Sequence, residues 1–464
     1  MTQSGYSGYS MSISILDPTK LSEITAREVA RFRAERPRSR AFLERGCRTM
    51  PNGVPMAWMS YFYPAGPFVV AQAEGAYLTD IDGHRYLDMN LADTSMATGY
   101  GLESVADAVD RQFRNGSQML LPTEDALDVT ELLADRFGLP GWQFTLSASN
   151  ANTEAMRIAR AKTGRNKVLM FDGKYHGMLD ESLHYLEEGQ MVPESAGLPS
   201  RASEDTIIVQ YNDLAAVDRV LTAGDVSCVL VEPAVTNVGG VLMPDDDFHA
   251  GLRQLTRQYD AVLILDEAHT HVCAYGGLTR AWSLEPDILV LGKALAGGIP
   301  IGAYGLNEEL QDFLEVDPSS DFEDWRSRVA LGGTLYGNSL QIAATKATLE
   351  TVLTEDNHAR VNTLGALLAD GIEAILTRLD LTWSVYRLFC RTGYHPAPTL
   401  PRNNLEMASV HDTSLRNAIH VYLANRGIWE AIDSASPAVS FAATPEDVKY
   451  YLAVLEECLT ELYE

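Results

Sequence analysis

The chain has 464 residues, of which 46% are hydrophobic and 21% charged, and a formal net charge of −27. These proportions are ordinary for a globular protein and exclude disorder, collagen-like repetition or a disulfide scaffold as the main architecture. The acidic balance argues against a nucleic-acid binder and against docking on anionic membranes, both of which need a basic footprint.

The first eighteen residues lack a basic region and an apolar core, so they do not read as a secretory signal; their Ser, Gly and Tyr content suggests a frayed tail. No apolar run approaches the roughly 20 residues of a membrane helix. Cys47, Cys228, Cys273, Cys390 and Cys458 are scattered without CxxC spacing, which fits reduced thiols in a cytoplasm. Eight arginines between Arg27 and Arg48 are interspersed with Glu28, Glu35 and Glu44. That stretch reads as a solvated amphipathic helix, with an anion-binding arm as the alternative. An aromatic segment, Trp58 to Tyr63, follows. Two β-rich runs around Asp82-Gly83 then read as a hairpin.

From about residue 100, short apolar runs alternate with helical stretches: Lys167–Phe171, Thr206–Gln210, Cys228–Val231, Ala261–Leu265 and Ile288–Leu291. Such alternation predicts βαβ units and a mainly parallel sheet. The polar stretch Leu186–Asp205 reads as a mobile loop. Helical patterns cover Gln341–Leu353 and Ala359–Arg378, and a last helix follows Thr444-Pro445-Glu446. The organisation expected is an N-terminal segment with part of a small domain (1–95), a large domain (96–345) and a C-terminal small domain (346–464).

Ligands of an open parallel sheet sit beyond the carboxyl ends of its strands. Phe171 is followed by Asp172, Lys174, Tyr175 and His176; Val231 by Glu232 and Asn237; Leu265 by Asp266, Glu267 and His269; Leu291 by Gly292 and Lys293. Of seven lysines, Lys293 alone sits in an apolar, glycine-rich context, and the others read as exposed. A desolvated lysine loses its charge readily and attacks aldehydes; the plainer alternative is a lysine snorkelling from a strand end. Asp266 closes an uninterrupted apolar run, where a carboxylate must be paired to be tolerated; it could hold a metal or a protonated ring nitrogen. Ser147 to Ala155 opens a helix whose free N–H groups could hold an anion, or which Asn152 or Thr153 simply caps. Gly332 to Asn338 is a second small-residue turn before a helix.

Asp266-Glu267-Ala-His269 matches a DEAH Walker B strand, but neither Gly-Lys pair completes the phosphate-binding GxxxxGK[ST] that a nucleoside triphosphatase requires. His269-Thr-His271 with the two acids could ligate a metal in a hydrolase, yet HxH is a weak pattern without an HExxH or a Cys/His cluster. The expected metal set is none.

Taken together, Glu74–Asp88, Asn152–Ala155, Tyr175–Gly177, Asp266-Glu267, Leu291–Ala294 and Gly333-Thr334 with Gly337-Asn338 resemble the class III aminotransferases. These are pyridoxal-phosphate enzymes, and the chain looks most like their glutamate-1-semialdehyde aminomutase-like branch. The resemblance implies an α/β fold of fold type I: a large domain with a mainly parallel sheet, plus a smaller α+β domain from both chain ends. It implies that Lys293 forms a Schiff base with pyridoxal 5′-phosphate and shuttles a proton. Asp266 keeps the ring nitrogen protonated, and Tyr175, next to His176, stacks on the ring. The backbone of Ala151, Asn152 and Thr153 holds the phosphate with Thr334 of the partner subunit, which makes a homodimer with shared sites. Asn237 lies near the phenolic oxygen, and His269 either bonds that oxygen or packs.

The arginines that clamp carboxylates in β-amino-acid relatives are missing from Val54–Trp58 and Ile428–Pro437; the second segment has Glu430 and Asp433 instead. The substrate expected is therefore an amine, or an amino compound without a strongly anchored carboxylate, against Trp58, Tyr61 and Tyr63. Arg387 and Arg391 remain as clamps, and Glu430 could face a cationic amine. The reaction expected is amino transfer from an amine or amino acid to a keto or aldehyde acceptor, with an intramolecular aminomutase or epimerase as the alternative.

Overall fold

A computed structural model describes residues 16–315, 328–431 and 437–464. The N-terminal tail and Asp433 lie outside these described residues. In chain order the strands are β1 (Val70–Glu74), β2 (Tyr77–Asp80), β3 (Arg85–Asp88), β4 (Gly141–Thr145), β5 (Lys167–Phe171), β6 (His184–Glu187), β7 (Gln190–Pro193), β8 (Thr206–Val209), β9 (Val226–Val231), β10 (Val262–Asp266), β11 (Ile288–Leu291), β12 (Gly302–Leu306), β13 (Ser384–Tyr386), β14 (Gly393–His395) and β15 (Ile428–Trp429).

The central sheet has seven strands in the order β4-β12-β11-β10-β9-β5-β8. The pairs from β11 through β8 are parallel, as the apolar runs predict. β12 is antiparallel to β11 and β4. Neither β4 nor β12 is legible in the sequence, because glycines depress the β signal in both. In β12 those glycines are required by close approach. A Cβ at Gly302 would fall 2.3 Å from the Ser147 backbone, and one at Gly305 would fall 2.7 Å from the Trp142 ring.

Successive strand residues face opposite sides of a sheet. Val168, Met170, Leu230, Ile264 and Val290 pack with Ala151, Ala155 and Ile158 of the helix Ala148–Thr163. Leu169, Phe171, Val231, Leu265 and Leu291 belong to the other core, with Leu252 and Leu278. Both faces are covered, which explains why the strands read as continuous apolar runs. The same parity turns Asp266 toward the helix Ala148–Thr163.

A second sheet has the order β1-β2-β3-β15. β2 and β3 form the expected hairpin around Asp82-Gly83. β15 arrives from the far end of the chain and pairs in parallel with β3, Ile428 opposite Leu87. Both chain ends thus build one smaller layer. Helices Ser339–Thr351, Glu355–Arg378 and Pro445–Tyr463 follow the expected patterns.

Two expectations fail here. The stretch read as a mobile loop contains most of the β6–β7 hairpin, with Leu186 opposite Met191, and a short helix Ser200–Glu204. The arginine-rich stretch is two helices, Pro18–Ala34 and Pro37–Gly46, broken where Pro37 forces Arg36 out of helical geometry. Nor is it fully solvated. Arg36 is buried and donates to the Tyr86 hydroxyl at 2.6 Å; buried Glu28 accepts from Asn425 Nδ2 at 2.7 Å.

Candidate active site

Asp266 ends β10 and Lys293 follows the adjacent parallel β11, so both emerge at one edge of the sheet. Asp266 is buried. Its Oδ2 accepts from Asn152 Nδ2 at 2.7 Å and His176 Nδ1 at 2.9 Å, and its Oδ1 from the Ala268 N–H at 3.0 Å. Burial alone would raise this carboxyl; the His176, Ala268 and Asn152 donors outweigh it and hold the group below its ordinary value. The imidazole of His176 keeps its proton on Nδ1. Its Nε2 and Asn152 Oδ1 are buried with no hydrogen-bond partner among the described residues.

Lys293 has φ 51°, a strained conformation for a side chain with a Cβ. The turn that carries it is tied down by His271, whose Nε2 donates to the Gly292 carbonyl at 3.0 Å. Burial pushes His271 down to about 3, so it serves as a neutral donor. Lys293 Nζ donates to the Asp93 carbonyl at 2.8 Å and forms an ion pair with the Asp93 carboxylate.

Sequence reasoning missed Asp93. It lies in a run of four non-glycine residues, Leu91 to Thr94, with φ of 57°, 46°, 55° and 65°. Buried Asp88 pins this run by accepting from the N–H groups of Asn90 at 3.0 Å and Leu91 at 2.9 Å, and from the Tyr100 hydroxyl at 2.7 Å. Burial would raise the Asp93 carboxyl, but the Lys293 ammonium beside it holds it well below the carboxylate range.

Glu232, placed at this strand edge by the sequence but given no role there, is a second such residue. Its Oε1 accepts from the Tyr175 N–H at 3.1 Å and its Oε2 from Thr236 Oγ1 at 2.8 Å. A hydroxyl that donates to a carboxylate has only lone pairs left, so Thr236 accepts from His269 Nδ1 at 2.8 Å. His269 Nε2 is then a bare acceptor, 3.6 Å from Asp93 Oδ2 and without a hydrogen-bond partner among the described residues. Burial first, then Lys293, push His269 down to about 4. Asn237 Nδ2 lies 3.5 Å from His269 Nδ1. The Tyr175 ring meets Trp58 edge-on at 5.6 Å, forming an aromatic wall.

Other expected site residues fall differently. The helix behind Ala151–Thr153 starts earlier, at Ala148, with Ser147 as its N-cap. The Ala151 N–H already donates to the Ser147 carbonyl at 3.0 Å, and Thr153 Oγ1 bonds the Ser149 carbonyl at 2.9 Å. The N–H groups at the open end are those of Ala148 and Ser149, and Asn152 serves Asp266 by its side chain. Thr334 is exposed, and its carbonyl accepts from Gln118 Nε2. Tyr61 is 60% exposed. Tyr63 stacks on His420 and accepts from Asn90 Nδ2 at 3.3 Å. Arg387 is paired with Asp370 at 2.8 Å and Glu373 at 2.9 Å on a partly solvated helix face. Buried Arg391 donates to the His269 carbonyl at 3.1 Å. Glu430 is buried and accepts from the Tyr451 hydroxyl at 3.2 Å. Lys174, read as exposed, is buried and donates to the His184 carbonyl.

Residues 62–385 match the family described as Aminotransferase class-III. A solved glutamate-1-semialdehyde-aminomutase from Pseudomonas aeruginosa PAO1 superposes with a TM-score of 0.91 at 39% identity, covering 96% of this chain and 99% of that one; a second structure of it holds PMP. The glutamate-1-semialdehyde 2,1-aminomutase of Chloroflexus aggregans is 33% identical over 439 residues, 92% of this chain and 98% of its own. A β-phenylalanine aminotransferase from Variovorax paradoxus is 25% identical with a TM-score of 0.84, covering 95% of this chain and 97% of that one. The expected alternative, an aminomutase, is thus better supported than transfer between two substrates.

Proposed function

The chain belongs to the class III aminotransferases, pyridoxal 5′-phosphate enzymes of fold type I, and from that premise we propose that it moves an amino group between adjacent carbons of one substrate. The observation that carries this reading is the likeness to the Pseudomonas aminomutase over 96% of the chain at 39% identity.

The residues present fit the cofactor. When bound, it supplies an aldehyde that takes up amines and a ring that takes up the electron pair of the amine-bearing carbon. Lys293 Nζ is the amine placed to hold that aldehyde, and once released it moves the proton at the reacting carbon. Asp266, fixed as a carboxylate by three donors, would hold the protonated ring nitrogen. Tyr175, backed by Trp58, would cover the ring, and His269 and Asn237 would serve its phenolic side. The Ala148 and Ser149 N–H groups, at the positive end of a sixteen-residue helix, hold the phosphate together with Thr334 of the partner subunit.

A homodimer is supported by Leu120 and Leu121, 72% and 73% exposed, in the segment that Gln118 ties to Thr334. Five unpaired cysteines support a reducing, cytoplasmic setting, and no helix among the described residues is long and apolar enough to cross a membrane. With Arg387 committed elsewhere, the substrate is an amino carbonyl compound whose carboxylate, if it has one, is not held by that side chain.

The test is conversion of an α-amino aldehyde by the purified holoenzyme with no keto acid added. Full turnover is expected. Turnover that needs an acceptor would refute the aminomutase reading and leave transfer between two substrates. A protein that gains no mass at Lys293 on borohydride reduction would refute both.

A further inference from the structure

We propose that His271 is a positioning residue: by holding the Gly292 carbonyl it locks the peptide in front of Lys293 and so keeps Nζ within reach of the cofactor aldehyde. This rests on the reading that Lys293 is the amine engaged by the cofactor.

Lys293 carries a Cβ at φ 51°, and such a backbone persists only where its surroundings enforce it. Turning over the one peptide between Gly292 and Lys293 would return Lys293 to a negative φ, and the flanking Gly292 tolerates either setting. The same movement would swing the Gly292 carbonyl away from the Leu295 N–H at 3.2 Å and from His271 Nε2 at 3.0 Å. Leu295 lies in the turn that would rearrange, whereas His271 is anchored apart from it. The His271 N–H donates to the Glu267 carbonyl at 3.0 Å. The buried Glu267 side chain in turn accepts from Thr270 Oγ1 at 2.9 Å and from the N–H groups of Leu278 at 2.8 Å and Thr279 at 2.6 Å. The imidazole is itself buried, so a turned peptide would leave its N–H without an acceptor, and that loss opposes the movement.

Gly292 also meets the phosphate end of the site. A Cβ there would fall 3.0 Å from Ala148 Cβ and 3.2 Å from the Ala148 nitrogen, one of the two N–H groups assigned to the phosphate. The carrier of the lysine and the anion anchor thus touch at this glycine, and the setting of one peptide fixes the span between them. A cofactor held by its phosphate then meets Nζ at a high effective concentration, which falls once the peptide is free to turn.

The experiment measures that effective concentration with methylamine, which displaces Lys293 from the aldehyde carbon. A bond from that carbon to the methylamine nitrogen forms, its bond to Nζ breaks, and two hydrogens pass from the incoming nitrogen to Nζ. Holoenzyme is equilibrated with rising methylamine and reduced with borohydride, and the mass at Lys293 is read. His271→Leu removes the N–H, His271→Asn holds an amide short of Gly292, and His271→Gln places an amide N–H near the position of Nε2. The concentration for half-displacement should fall about tenfold in the Leu and Asn variants and stay within about threefold of wild type in the Gln variant. Total cofactor bound before methylamine is added should be equal, which a general loss of structure would not allow. Unchanged half-displacement in a loaded Leu or Asn variant overturns the inference, and so does a Gln variant that releases cofactor as readily as they do. If neither Leu nor Asn loads, the Gln variant decides: wild-type release supports the inference, and easier release or failure to load overturns it in favour of packing by the ring. A wild type without an adduct at Lys293 refutes the reading of Lys293 instead.

Discussion

His176 Nδ1 lies 2.9 Å from Oδ2 of Asp266, and Asn152 Nδ2 lies 2.7 Å from the same oxygen. Two donors on one oxygen fix the carboxylate as charged and leave Oδ1, which accepts only the Ala268 N–H, to meet a ligand. The geometry is a preorganised anion in a buried place, where electrostatic effects are largest.

Replacing Asp266 by Asn keeps the shape and removes the charge, so the reaction should slow by about 100-fold or more. Cofactor should still attach to Lys293. Steady-state rates beside the visible band check this, and a variant within about threefold of wild type would remove Asp266 from the chemistry. His176→Gln should cost less, because Asn152 and Ala268 still serve the carboxylate.

Arg387→Ala should leave the rate within about twofold, because this guanidinium is paired with Asp370 and Glu373 on a partly solvated helix face. A KM for a carboxylate-bearing substrate that rose about tenfold or more would restore it as a clamp. The paired geometry, not the residue type, decides its role.

The parallel strands were legible because burial on both faces leaves uninterrupted apolar runs, as in Val226–Val231. The residues at their carboxyl ends, Asp266 and Lys293, could therefore be assigned to one edge from sequence. β12 was not legible, since Gly302 and Gly305 answer to Ser147 and Trp142, distant in sequence. Asp93 was hidden for a related reason. Its aim depends on a left-handed backbone in Leu-Ala-Asp-Thr, which no glycine announces. The helix start was misplaced by one turn because Ser147, not Asn152 or Thr153, supplies the cap.

Glutamate at Leu120 and Leu121 together should convert the proposed dimer to monomer, measured as molar mass by light scattering. These side chains are nearly three-quarters exposed, so the substitutions cost little in an isolated chain. Activity should fall with the dimer if Thr334 of the partner subunit serves the phosphate. Retained mass and activity would place the subunit contact elsewhere.

Acid should destabilise the fold through its buried histidines. Burial pushes His249, His269, His358, His395 and His420 down to about 4 and His271 to about 3. In the unfolded chain each titrates near 6.5. Between about pH 6.5 and about pH 4 the unfolded state therefore binds protons that the folded state refuses. Stability present above pH 6.5 is lost as pH falls, with a slope of up to about 1.4 kcal/mol per pH unit for each histidine. Asp88, Glu194, Glu232 and Glu267 are raised by burial and act with the opposite sign, because they bind protons in the folded state first. Six histidines against four carboxyls give a net loss. The urea midpoint of the cofactor-free protein, followed from about pH 8 to about pH 5, should hold level at first and then fall steadily below about pH 6.5. A midpoint that stayed level across the range would mean either that the raised carboxyls offset the histidines or that these imidazoles protonate without unfolding, and would remove the predicted acid sensitivity.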